Sequence, residues 1–275
     1  MRICLIADRP DHPVLGAAMV ILAPRHETRV LLAGGLSDAA ARRRELGRPA
    51  DTYLLKSRSA AALELGAELA ARGAAVINDP AATALCLDRA AMAERVEQAG
   101  LPHPRTVAFD RLVDITARDH GLRFPLMLKS RHSRRGDLVM KVPAASDTAS
   151  LLDDWAREPV IAQEFQTGDG YDAKLWAIGA HLEGARRRTP LETGATGAAK
   201  RNLPLDPSVM VELERLGRAV GAAFGLQLYG VDVIMSAEGP SIVDVNAFPG
   251  FRGVEGAPGL LADLVETSRA AAPIP

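Results

Sequence analysis

Apolar and polar positions along this chain switch repeatedly between a period of two and a helical period, and the switches mark its elements. Arg2 to Ala7 reads as a buried strand. Glu27 to Leu32, Asp51 to Leu55 and Ala74 to Asn78 read as three more, with the apolar segment Gly16 to Leu22 between the first two. Ser59 caps a helix through Ala71, with apolar Leu63, Leu65 and Leu69 and a stop at Gly73. Strands alternating with helices predict a parallel sheet covered on both faces. Asp79-Pro80 starts a helix predicted to run to about Ala99, where Gly100-Leu101-Pro102-His103-Pro104 breaks it. That break marks the end of a first domain, residues 1–103.

The next block, 104–165, reads as a small α+β unit. Its strands are Thr106 to Phe109, Pro125 to Ser130, Leu138 to Val142 and Val160 to Phe165, with helices near Arg111 to His120 and from Ser146 to Arg157. The third block, 166–275, opens with a strand from Tyr171 to Gly179, followed by a loop holding Arg186-Arg187-Arg188 and Lys200-Arg201-Asn202. Asp206-Pro207 then starts a helix with Val209, Leu213, Leu216, Val220 and Phe224 on one stripe, closed by Gly225. A last helix spans about Gly259 to Ala270, before a tail expected to fray.

Between those two helices lies the stretch around which the chain is organised, Leu228 to Arg252. It reads as two strands joined by Ala237-Glu238-Gly239-Pro240. A hairpin centred on Glu238 opposes Asp232 to Asp244, Ile234 to Ile242 and Gly230 to Asn246. The other face pairs Val231 with Val245 and Val233 with Val243 as core. Carboxylates opposed beside a core call for a cation between them. Asp232, Asp244 and Asn246 offer oxygen ligands only, which suits Mg²⁺ or Mn²⁺ on phosphates. The alternative is a solvated acidic face whose register differs.

Composition narrows the classes. With 33 basic and 34 acidic residues the net charge is −1, so no global field recruits nucleic acid or an anionic membrane. Two cysteines, Cys4 and Cys86, lack metal spacing and fit a reducing compartment; without a signal-like or membrane-spanning run, a soluble cytoplasmic protein is expected. The histidines lack ligand spacing, and no GxGxxG, GxSxG or HExxH occurs. Lys129 and Lys141 lie on neighbouring strands around a basic turn, as a triphosphate requires or as an exposed pair would. Gln163-Glu164-Phe165 ends a buried strand, suited to a purine or ribose edge, and Asp172 and Lys174 share a strand face. Arg186 to Arg188, Lys200, Arg201 and Arg252 form either a solvated set or forks for a substrate's acid groups.

Taken in order, these pieces make the chain resemble an ATP-grasp protein. Asp232 with Asp244-Val245-Asn246-Ala247-Phe248-Pro249-Gly250 is similar to the family's acid followed by (E/D)-x-N-x-x-P-G, whose side chains hold Mg²⁺ on ATP. Asp88-Arg89 resembles the "DK" entry to the central lid, with Arg for Lys. Lys129 resembles the lid lysine on the α- and β-phosphates, and Gln163, Glu164 and Phe165 the adenine and ribose hinge. Asp172 and Lys174 resemble the D-x-R of RimK-type ligases. Arg188, Arg201 and Asn202 sit where those ligases keep basic and amide groups around the transferred phosphate. The turn RHSRRGDL has one glycine where many relatives have three or four.

The resemblance implies an ATP-grasp fold: an N-terminal parallel α/β domain, an α+β lid and a C-terminal α+β domain. It also implies an ATP- and Mg²⁺-dependent carboxylate–amine ligase working on small acids and amines, amino acid or peptide, through an acyl phosphate. Oligomeric state is left open. The segment DVNAFPGFRGV is also close to the hairpin of inositol-trisphosphate kinases, which gives a small-molecule kinase as the alternative; a non-catalytic nucleotide-binding scaffold is the third reading.

Overall fold

The structure, a computed structural model, describes residues 1–117, 119–134, 136–188 and 202–268. Three four-stranded sheets organise it. The first is parallel, in the order β2-β1-β3-β4, with β1 Arg2–Ala7, β2 Glu27–Leu32, β3 Thr52–Leu55 and β4 Ala75–Ile77. Both faces are covered, as expected. Cys4, Ile6, Tyr53 and Leu55 pack beneath α3 (Ala60–Ala71), whereas Ile3, Leu5, Leu54 and Ile77 pack toward α1 (Pro13–Leu22). This second face is shared with the other end of the chain: Leu261 and Val265 of the last helix, Ala257–Ser268, join the same core. The first sheet therefore closes its core with the C-terminal segment. Burying each such leucine or valine contributes about 1.5–3 kcal/mol.

Several elements differ from the sequence reading. The apolar segment near Gly16 is helical, since the His12 ring caps Leu15 N and Pro13 opens the first turn. Ala39–Gly47, where arginines mask any periodicity, forms α2 behind the Asp38 cap. The helix expected from Pro80 to Ala99 is two, α4 Pro80–Leu87 and α5 Arg89–Gln98. Asp88 is extended between them and caps the second through Ala90 N and Ala91 N. Its bridge to His132 and the Arg89 N–H bond to Arg131 O hold that break.

The second sheet is antiparallel, β5-β8-β6-β7: β5 Thr106–Phe109, β6 Leu126–Ser130, β7 Val139–Val142 and β8 Val160–Glu164. The two helices expected here shrink to 3-10 turns at Leu112–Ile115 and Ala145–Leu151 and one α turn, α6 Leu152–Trp155.

The third sheet, β10-β9-β11-β12, is antiparallel: β9 Tyr171–Ile178, β10 His181–Arg188, β11 Leu228–Ser236 and β12 Gly239–Ala247. Here β10 replaces part of the expected loop. One face of the sheet packs on the helix α7, Pro207–Phe224, whose Leu213, Leu216, Val220 and Phe224 form the predicted stripe. That contact is close because Gly221 lies over the Tyr229 ring, where a Cβ would stand 2.3 Å from Tyr229 Oη. The opposite face is left for the other two sheets, and the site lies there. Among the described residues no helix is long and apolar enough to cross a membrane.

Candidate active site

The hairpin puts Asp232 opposite Asp244 and Gly230 opposite Asn246, in the register the sequence implied. Beyond Asp232 the register shifts by one residue, so Val233 pairs with Ile242 and Ile234 with Ser241. The expected Val233–Val243 and Ile234–Ile242 pairs do not form. A bulge is the physical reason: it turns Ile242 into the core beside Val233 and leaves Val243 on the cleft side. The Val243 carbonyl then accepts a 2.9 Å hydrogen bond from Lys129 Nζ, which arrives from the second sheet. One irregularity in the hairpin thus ties two sheets together.

On β9, Lys174 is the direct cross-strand partner of Asp232. Lys174, Asp232 and Asp244 form a row across three strands, with the Lys174 ammonium bonded to Asp232 Oδ1 and Asn246 Nδ2 donating to Asp244 Oδ2 at 3.0 Å. Burial pushes the Asp232 carboxyl above the usual carboxylate range; Lys174 opposes that shift and Asp244 adds to it. Lys129, from the second sheet, also lowers the Asp232 pKa.

The acids open onto a cavity of about 410 Å³ between the second and third sheets. Arg89, Lys129, Gln163, Glu164, Phe165 and Asp172, all singled out from the sequence, line it with Asp232 and Asp244. Lys129 is buried, which pushes its ammonium below the ordinary lysine range against the pull of Asp244. Arg89 bonds the Ser130 carbonyl at 2.8 Å and Asp137 at 2.7 Å; among the described residues its buried Nε has no partner. Gln163 donates to Thr106 Oγ1, and Glu164 accepts from Arg123 N. The charged lining is two cations, Arg89 and Lys129, against four carboxylates.

Lys174 lines a different cavity, of about 420 Å³, between the third sheet and the loops that follow β1 and β3. Five lysine and arginine side chains face two carboxylates there, Asp8 and Asp11. Arg187 is among the five, its guanidinium 4.7 Å from the Trp176 ring and its Nε bonded to Asn202 Oδ1 at 2.6 Å.

Other predicted residues fall elsewhere. Asn202 lines neither cavity but holds Arg187. Lys141 is exposed, its ammonium 3.7 Å from the Phe165 ring centroid. Asn246 acts through Asp244 rather than by lining. Arg188 is exposed at the end of β10 and lines neither cavity, because strand alternation gives the inward place to Arg187. Arg186 lies over Tyr171 and pairs with Asp169. Lys200 and Arg201 lie outside the described residues. The sequence named Arg187 only within the Arg186 to Arg188 run, and did not single out Arg9 or His12 as site residues. Reading residues 181–188 as a strand in register with Lys174 would have singled Arg187 out of that run.

This arrangement of sheets and acids has known counterparts. A model of the RimK-like ATP-grasp domain matches residues 95–264. The chain belongs to the RimK-like ATP-grasp family. Its fold is that of the family: a RimK-domain ATP-grasp protein of Sphaerobacter thermophilus superimposes with a TM-score of 0.77 over 96% of this chain and 99% of that one, at 24% identity. A D-alanine–D-alanine ligase of Bacillus anthracis complexed with ATP does so at 0.72, covering 98% and 97%, at 15% identity. Among curated relatives, a probable alpha-L-glutamate ligase of Psychromonas ingrahamii is 29% identical over 66% of this chain and 62% of its own length. One of Thioalkalivibrio sulfidiphilus is 30% identical over 55% and 51%. The chain thus spans between half and two thirds of these relatives. Membership of this ATP-grasp family carries ATP binding with it.

Proposed function

We propose that this RimK-like ATP-grasp protein is an ATP-dependent carboxylate–amine ligase. One observation supports it most: an acid-rich cavity and a cation-rich cavity meet at a single ion pair, Lys174–Asp232. The acid-rich cavity suits a polyanion that arrives with its own cations. The other suits an anionic acceptor. The names of the curated relatives favour glutamate as the amine.

Magnesium fits the hairpin: Asp232 and Asp244 line the cavity with oxygen ligands, Asn246 holds Asp244, and burial already disfavours bare charge on Asp232. No three His, Cys, Asp or Glu side chains converge among the described residues, so phosphate and water oxygens would complete the shell. When bound, the metal would neutralise charge on the phosphates.

In this role Gln163, Glu164 and Phe165 take the adenine end of ATP and Arg89 and Lys129 its phosphates, with Lys141 above Phe165. Arg89 lines the cavity, and a guanidinium there suits a phosphate oxygen. The acceptor carboxylate oxygen attacks the γ-phosphorus and ADP leaves. The amine nitrogen then attacks the acyl carbon, expels inorganic phosphate and loses a proton. Lys174 and Arg187 lie on the acceptor side and stabilise charge on the transferring group. The sheet of residues 104–165 serves as the lid that keeps water from the acyl phosphate.

Phosphorus NMR with MgATP, a small carboxylic acid and glutamate tests this. ADP and inorganic phosphate released only with both acid and amine are expected. A stable phosphate ester would make the protein a kinase of the type its DVNAFPGFRGV segment resembles. Nucleotide binding without turnover on any acceptor would leave a scaffold.

A further inference from the structure

The cation-rich cavity has more positive charge than one acceptor carboxylate needs, and the surplus sits on the wall opposite Lys174 and Arg187. Lys56, at the end of β3, donates to the Phe248 carbonyl at 2.6 Å and lies 5.6 Å from the Phe248 ring centroid. Among the described residues it has no carboxylate in an ion pair. Burial pushes its ammonium down to about 8, with the repulsion of Arg58 added. Arg252 and Arg9 are exposed at the rim of the same cavity, likewise without an ion pair among the described residues.

The loop joining this wall to the hairpin is held under strain. Phe248 and Phe251 both occupy the left-handed region, with φ of 49° and 50°, and both are fully buried. Non-glycine residues are costly there, and such outliers cluster where a ligand is clamped. The strained turn brings Gly250 against His12, where a Cβ would stand 3.4 Å from His12 Nε2. His12 Nδ1 accepts from Leu15 N, which assigns the proton to Nε2 and makes it a donor on the cavity side. Burial, then the field of Lys56, Arg252 and Arg9, lowers the pKa of that ring, with Asp11 opposing. Three cations and one imidazole donor therefore share this wall with two acids, Asp8 and Asp11, and leave it net positive.

Building on the ligase reading, we propose that this cavity selects an acceptor with at least two carboxylates. One carboxylate lies at Lys174 and Arg187 for activation, and a second is held by Lys56 and Arg252. A small di- or tricarboxylate has the chemistry to bridge the two walls, and Lys56 and Arg252 determine that specificity without touching the reacting atoms.

Trp176 lines the cavity and supplies a direct readout. In a Trp155→Phe background its fluorescence is titrated with acetate, succinate, citrate and glycerol phosphate, with MgATP present. Succinate or citrate should bind at least about tenfold more tightly than acetate, the size of one charge-assisted hydrogen bond. Lys56→Gln and Arg252→Gln should each abolish that advantage while leaving acetate affinity unchanged, and Lys56→Arg should restore it. The exposed Arg252 guards against misreading a Lys56 variant that folds poorly. Equal affinity for mono- and dicarboxylates, indifference to both variants, or preference for glycerol phosphate would overturn the proposal. A parallel assay with hydroxylamine as the amine separates it from the ligase reading. Hydroxamate formed equally from acetate and succinate would sustain the ligase and sink the selectivity; selective binding without hydroxamate from any acid would do the reverse.

Discussion

Lys174 and Asp232 are cross-strand partners whose ion pair stands in the wall between the two cavities, with Lys174 lining the cation-rich side and Asp232 the acid-rich side. Lys174 therefore answers to both sites: it compensates a metal-type acid and presents a cation to the acceptor. Lys174→Met should lower kcat by about two orders of magnitude, the effect of removing one transition-state donor, with KM for ATP changed little. Because Lys174 holds the Asp232 pKa down, its loss should also move the acidic limb of the pH–rate profile to higher pH. Steady-state kinetics across pH 5 to about 8 checks both. A change confined to KM for ATP would place Lys174 with the nucleotide instead.

Asp244→Asn conserves size and the contact with Asn246 but removes one of the two opposed charges. Turnover should fall by about 100-fold or more at millimolar Mg²⁺, while the unfolding midpoint holds or rises because like-charge repulsion is relieved. Circular dichroism melts and an ADP-release assay over a Mg²⁺ series check this. Undiminished turnover at low Mg²⁺ would remove the metal from this hairpin.

Asp88 caps α5 and receives the Arg131 fork at 2.8–3.0 Å. Burial raises its pKa, but the bonds from Arg131, Ala91 and Ala90 outweigh that and leave it below the ordinary value. A depressed carboxyl contributes stability above its unfolded pKa of about 3.9 and loses it as pH falls through the folded value. Asp88→Ala should cost about 1–2 kcal/mol at pH 7, the worth of an N-cap. The gap between variant and parent should close below pH about 3.9 in urea titrations. A constant gap would mean that packing, not charge, accounts for the loss.

Gly221→Ala places a methyl group against the Tyr229 hydroxyl, which itself donates to the Gly217 carbonyl at 2.9 Å. Helix α7 would have to lift from the sheet. A loss of about 1–3 kcal/mol, as for an overpacked core, is expected in denaturant unfolding. Tyr229→Phe in the same chain should recover part of it by opening space.

The Lys56 ammonium titrates near pH 8, with burial and Arg58 lowering it and Asp8 opposing. It is charged below that value and neutral above. On the dicarboxylate reading, kcat/KM for a dicarboxylate acceptor should fall as pH rises through about 8, while that for a monocarboxylate stays level. Lys56→Arg should move the fall out of the accessible range. A fall common to both acceptors would assign it to another group.

Much of this protein was determined locally, by residues a few positions apart. The strands of the parallel sheet, the capped helix after Ser59, the stripe ending at Gly225 and the Asp232–Asp244 pairing follow from alternation, capping and turn length. So do Arg89, Lys129 and Gln163 to Phe165, because each sits at the end or on the inward parity of an element the pattern already defines. Other features depended on contacts between distant segments. The bulge at Asp232 is tied by a lysine more than a hundred residues earlier. The break at Asp88 is held by Arg131 and His132. The choice of Arg187 over Arg188 follows from β10 pairing with β9, in a segment whose charges hide its alternation. The cation-rich cavity exists only where the ends of β1 and β3, the third sheet and the strained Phe248 to Phe251 loop meet. Local pattern fixes which face a side chain takes, but only packing of one element on another decides which faces meet.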